Sequence, residues 1–124
     1  MASGASVTVT GSVTSMLGGN INIGPATFTS LISNGTIQHV VLQAGANTIT
    51  VPTQTANVSG GVLIVLPATN TSVTTLKGVT GDTGIAIGKT SFSLITWDPA
   101  AVPASFVLTS VSTQTGLYTE LIFF

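Results

Sequence analysis

Apolar and hydroxyl residues alternate in short runs along most of this chain, and that period of two constrains the backbone more than any other feature. Ser6–Thr10 reads SVTVT, which sets Val7 and Val9 on one side of an extended strand and hydroxyls on the other. The pattern returns in Asn20–Ile23 (NINI), Asn47–Val51 (NTITV), Ser91–Thr96 (SFSLIT) and from Ser105 onward (SFVLTSVS). Val, Ile and Thr supply most of it; their branched Cβ favours pleated strands and loses rotamer freedom in helices. The Lys, Glu, Arg and Gln that would build a helix surface are scarce.

Turn chemistry falls between these runs. Asn34-Gly35 separates 26–32 from 36–43 and predicts a hairpin, since both residues accept the positive φ of a type I′ turn. Gly18-Gly19, Gly60-Gly61 and Gly81-Asp82 punctuate the chain similarly, and Pro52 and Pro67 close strands. Val62–Leu66 (VLIVL) does not alternate, which predicts a central strand buried on both faces. The stretch from Asp98 to Pro103 reads as the clearest connection without strand character. Roughly nine or ten short strands with no helical window predict one all-β domain over residues 1–124, an antiparallel β-sandwich with a jelly roll among its forms. Residues 1–5 read as a flexible arm.

Charge sets the second constraint. Five residues (Lys77, Lys89, Asp82, Asp98 and Glu120) carry all the formal charge of the 124. A folded monomer of 12.4 kDa exposes about 6,100 Å², so each charge serves on the order of 1,200 Å². Free soluble domains keep apart through a dense mixture of charges. A chain this neutral is expected to have much of its surface covered by other copies or a larger scaffold.

The same scarcity excludes several function classes. A net charge of −1 offers no basic patch for phosphates, so no nucleic-acid partner is expected. The apolar runs are too short for a membrane helix of about 20 residues, and with aromatics at only 6% the girdles of a small membrane barrel are missing, so no membrane partner is expected either. There is no cysteine, hence no disulfide framework and no thiolate metal site.

Candidate chemistry is thin. His39 is the one imidazole; in TIQHVVLQ it shares a strand face with Ile37 and Val41 and reads as a packed or edge histidine. The serines occupy no nucleophile elbow. Asp82, in GVTGDTGI, lacks the companion carboxylates of a Ca²⁺ loop and reads as bonding its own turn. No cofactor motif, metal set or catalytic residue is expected. Trp97 beside Asp98 reads as a core or interface anchor, with sugar stacking by Trp97 and Tyr118 as the alternative. Asn34, Asn57 and Asn70 each open an Asn-x-Ser/Thr pattern that arises by chance in a Ser/Thr-rich chain. Leu117–Phe124 (LYTELIFF) reads as a final strand. It either completes the domain's own core or presents Phe123 and Phe124 to a neighbouring subunit.

The segment from Gly61 to Phe124, with VLIVLP, LKGVTGDTGI and the closing ELIFF, resembles the small β-sandwich virion proteins of tailed bacteriophages. The resemblance implies a non-catalytic structural protein of the virion, made in the bacterial cytoplasm and present in many copies, as trimers or larger symmetric sets. It implies as partners the chain itself and a major capsid protein or another virion protein. On this reading the chain is a capsid decoration or minor capsid protein, with a tail or fibre component as the related alternative and a carbohydrate-binding module as the unrelated one. The contact residues expected are Tyr118, Phe123 and Phe124 on the last strand, then Lys77 and Asp82 in the loop from Lys77 to Gly84.

Overall fold

From Thr36 to Phe123 the strands pair in a nested order, the outermost with partners far away in sequence. The computed structural model describes residues 6–14, 20–29, 36–52, 60–98 and 100–124. Ten strands and no helix occur among them: β1 (Ser6–Thr14), β2 (Asn20–Thr29), β3 (Thr36–Val40), β4 (Gly45–Thr50), β5 (Gly61–Val65), β6 (Thr74–Lys77), β7 (Ile85–Ile87), β8 (Phe92–Thr96), β9 (Ser105–Ser110) and β10 (Thr119–Phe123). From the outside inward β3 pairs with β10, β4 with β9, β5 with β8 and β6 with β7, all antiparallel. Two more pairings, β10 with β5 and β9 with β6, close the strands into sheets ordered β3-β10-β5-β8 and β4-β9-β6-β7. A long hairpin wound onto itself in this way is a jelly roll. Among the described residues both sheets keep edge strands, β3 and β8 in one and β4 and β7 in the other, and the two sheets do not join into a barrel.

The alternation read in the sequence decides what faces inward. In β10, Thr119, Leu121 and Phe123 are buried while Glu120 and Ile122 point outward. In β4, Ile49 enters the core, and Val51 follows it just past the strand. Val62, Ile64, Leu121 and Phe123 from one sheet meet Ile49, Phe106 and Leu108 from the other, and Leu42, Val51 and Leu66 close the ends. Each such side chain contributes about 1.5–3 kcal/mol through burial.

Two sequence expectations need correcting. The strands flanking Asn34-Gly35 do not pair with each other: β2 pairs with β1, and β3 pairs with β10. The turn residues themselves lie outside the described residues, as do residues 1–5 and Gly18-Gly19. A strand chooses the partner that completes a core, and β10 offers β3 an entire sheet where β2 offers only a ribbon. β5, too, is not buried on both faces. Val62 and Ile64 face the core, while Leu63 and Val65 lie half-buried on the outer surface. The stretch after Asp98 does turn: the Ala101 N–H donates to the Asp98 carbonyl at 2.9 Å.

β1 and β2 form a separate two-stranded antiparallel ribbon. Its register shifts between Val9 and Gly11, where the single residue Thr10 stands opposite Gly24 and Pro25. That is a β-bulge, with one extra residue in β2.

Candidate functional site

Register builds an apolar surface on the outside of the β3-β10-β5-β8 sheet. Ile37, Ile122, Leu63 and Leu94 lie side by side across its four strands. The next row is His39, Glu120, Val65 and Phe92. Ile37 is 60% exposed and Phe92 63%, and the aliphatic residues between them are half-buried. Of the chain's five formal charges only Glu120 stands in these rows, and its Oε2 lies 3.6 Å from His39 Nε2. The His39 ring stacks on Tyr118, with centroids 4.4 Å apart and planes tilted by 34°. His39 is therefore an edge-strand histidine with two neighbours, as the sequence suggested.

The outer surface of the other sheet differs in kind. There Ala46, Thr109, Thr75 and Ala86 form one row, and Thr48, Val107 and Lys77 the next. Small and hydroxyl-bearing residues dominate. Ala46, Thr48 and Ala86 are exposed there and Val107 between Thr48 and Lys77 is buried, whereas a row of Ile, Ile, Leu and Leu costs free energy wherever it stays wet.

Two hollows adjoin these surfaces. One, of ≈ 430 Å³, opens between the sheets where β7 and β8 diverge, lined by Leu76, Ile85, Ile95, Trp97 and Phe106. Ile85 is 71% exposed although it continues the inward-facing row of Leu76, which marks the splaying of the sheets. Lys77 and Asp82 stand at the rim of this cleft, so the loop contact expected from sequence shares a site with Trp97. The other hollow, of ≈ 420 Å³, is lined by Val65, Pro67, Leu117, Tyr118 and Glu120 and extends the apolar face. Trp97 and Tyr118 thus line separate hollows and form no common stacking platform.

The polar candidates are occupied structurally. The Asp82 carboxylate accepts the Val79 N–H at 2.9 Å, and the Asp82 N–H donates to the Val79 carbonyl at 3.1 Å, the self-bonded turn expected. Asp98 Oδ1 accepts the Ala100 N–H at 2.8 Å. Asn70, whose pattern resembled a glycosylation acceptor, is buried and donates to the carbonyls of Ser72 at 3.0 Å and Lys89 at 2.7 Å. Asn34 and Asn57 lie outside the described residues. Ser72 and Ser112 bond through their hydroxyls, and the Ser110 hydroxyl donates to the Ser112 carbonyl at 2.6 Å. No group of three or more acidic or imidazole side chains among the described residues is arranged to hold a metal ion.

The last strand is a central strand of its sheet, and Phe123 points into the core, while Phe124 lies just past the strand with its ring beside Gly61. Phe123 is fully buried and Phe124 nearly so. Any contact made by this strand runs through its outward residues, Glu120 and Ile122, and through Tyr118 just before it. Sequence reading missed Ile37, Leu63, Leu94 and Ile122; the lost alternation of VLIVL marks only the outward residues of β5, and strand pairing alone joins the four into a row. Compared with known proteins, the chain matches no family model, and no curated protein or solved structure matches it significantly.

Proposed function

We propose that this protein is a non-catalytic structural subunit that works in many copies, a capsid decoration or minor capsid protein of a tailed-phage particle. The observation that carries this reading is the apolar outer face of the β3-β10-β5-β8 sheet, exposed on a chain with almost no charge to keep copies apart. Such a face behaves as half of a core awaiting its complement. Repetition on a lattice multiplies a modest contact into firm attachment. The jelly roll agrees with the sequence resemblance, since this fold recurs in capsid and lectin domains; a fold alone assigns no function, so the weight rests on the face.

Fractionation of the source lysate on a density gradient, with this chain counted by mass spectrometry, tests the reading. Co-migration with large particles at a lattice-like copy number supports decoration, and a few copies per particle moves the protein to the tail or a fibre. Recovery only as a small soluble species overturns the structural role.

A second reading draws on Trp97 at the open cleft, with Asp82 and Lys77 at the rim, as a carbohydrate site. Its apolar lining and the engagement of Asp82 and Asp98 with their own turns weigh against it. Glycan binding lost in a folded Trp97→Ala variant would favour it.

A further inference from the structure

The cleft between β7 and β8 is walled by residues that belong to the inner faces of the two sheets. In β7, Ile85 pairs with Leu76 and Ile87 with the fully buried Thr74. Ile85 therefore shares the face on which Leu76 and Ile87 pack against the core, yet it is 71% exposed. Ile95 in β8 and Trp97 just past it pack against the same core from the other sheet. The buried ring of Phe106 completes the lining. Protein interiors are filled to near-crystal density and leave few voids larger than a water molecule. A space of ≈ 430 Å³ with these walls is a stretch of core that lacks its filling.

The turn beside the cleft is tightly tied, so the space is pre-formed. Gly84 has a φ of +75°, and a Cβ there would fall 2.5 Å from the Leu76 carbonyl oxygen and 2.6 Å from Lys77 Cγ. Only glycine lets the chain return this closely, and the return sets Ile85 opposite Leu76. The bond from the Val79 N–H to the Asp82 carboxylate fastens the same turn.

Size and charge define what fits. Small-molecule sites span roughly 300–1,000 Å³ and are mostly apolar with a few polar groups. A dry cavity of about 150 Å³ lined by Leu, Ile and Phe holds benzene, so this larger space takes about two fused rings or a chain of similar bulk. Lys77 and Asp82 at the rim carry opposite charges, and Ser105 is the one hydroxyl among the described lining residues. The lining thus selects no net charge. We propose that this cleft is a binding site for a neutral, largely hydrocarbon small molecule of about two-ring size, held against Trp97 between Ile85 and Ile95. The proposal is independent of the assembly reading, and it assigns the cleft a chemistry different from the carbohydrate alternative.

Trp97 is the single tryptophan of the chain, so its emission reports on the cleft directly. The test titrates the full chain with prodan, a neutral naphthalene dye whose emission moves to the blue in apolar surroundings. Saturable energy transfer from Trp97 to one dye per chain is the expected result. Ile85→Glu sets a charge among the walls at an exposed position and should weaken binding by about tenfold or more. Ile85→Lys is the second variant in case the first misfolds, with circular dichroism as the check. Ile37→Glu, on the outer face of the other sheet, should leave binding unchanged. Naphthol should displace the dye, and naphthalenesulfonate, a similar ring system with a charge, should do so about tenfold less well or worse.

Absence of saturable transfer from Trp97 overturns the proposal. Equal weakening by Ile37→Glu and Ile85→Glu overturns it too, because the dye would then lie on the outer face. Equal displacement by the sulfonate overturns the neutral class, and displacement by maltose or cellobiose passes the cleft to the carbohydrate reading.

Discussion

Phe106 and Phe123 meet across the middle of the sandwich, their ring centroids 6.4 Å apart and their planes tilted by 47°. One comes from β9 and the other from β10, inner strands of the two sheets, so this contact joins the layers. Tilted aromatic pairs at this spacing gain about 0.5–1.5 kcal/mol beyond burial of their area. Phe123→Ala is expected to destabilise the fold by about 3–5 kcal/mol, read as a shift in the urea midpoint at constant slope. Phe106→Ala should cost a similar amount, and the double variant less than the sum, because the second removal deletes a contact already lost. Additive losses in that cycle would show that the rings do not interact. Truncation after Glu120 would remove Leu121, Phe123 and Phe124 together, so it reports on folding and cannot isolate an interface.

Gln114 ties two segments to the interior. Its Oε1 accepts the Leu42 N–H at 3.2 Å and the Thr119 hydroxyl at 3.1 Å, and its own N–H donates to the Leu42 carbonyl at 2.8 Å. All three residues are buried. Gln114→Ala leaves a buried amide and a buried hydroxyl without their acceptor, at a cost of about 1–3 kcal/mol. Faster hydrogen exchange at the Leu42 amide, beyond that of the neighbouring strands, is the specific readout. Unchanged exchange at Leu42 would mean that the side chain is dispensable there.

Much of the fold was legible because alternation and core coincide. NTITV delivers Ile49 and Val51 to the interior as its spacing predicts, and ELIFF delivers Leu121 and Phe123. The reading broke where both faces of a strand are apolar. In VLIVL the outward Leu63 and Val65 mask the period set by Val62 and Ile64, so a strand at an interaction face reads as one buried twice. The hairpin expected at Asn34-Gly35 failed for a different reason: local turn preference is worth less than the core that β10 offers β3. The candidate face was illegible because Ile37, Leu63, Leu94 and Ile122 come from four separate strands. Only strand pairing makes them a row, and pairing in a nested jelly roll is set by contacts distant in sequence.

Gly61 opens β5 where three segments converge. A Cβ there would fall against the Ile95 carbonyl oxygen, 2.9 Å from the Phe124 ring and 3.1 Å from the Thr96 Cα. The first and last of these are backbone and cannot swing aside. Gly61→Ala therefore forces β5 and β8 apart at one end, and a loss of about 1–3 kcal/mol is expected, as for other overpacked sites. Gly81→Ala, where a Cβ meets nothing within 4 Å, is the matched control. A comparable loss at both positions would show that backbone freedom, not crowding, sets the cost.

The apolar face separates stability from assembly. Ile37 is exposed on the edge strand β3, and Thr48 is exposed on the edge strand β4 of the opposite sheet. Lysine at either position keeps its ammonium in water and its stem along the sheet, so neither change should move the stability by more than about 0.5 kcal/mol. Their effects on association should diverge. Ile37→Lys sets a charge in the Ile37–Ile122–Leu63–Leu94 row, and any partner that covers the row must desolvate it. Thr48→Lys adds the same charge to a hydroxyl-rich surface. Sedimentation velocity across a range of concentrations is expected to show Ile37→Lys shifted to the monomer while Thr48→Lys associates as the parent chain does. Equal loss in both variants would trace association to net charge alone, and the specific role of the face would be gone.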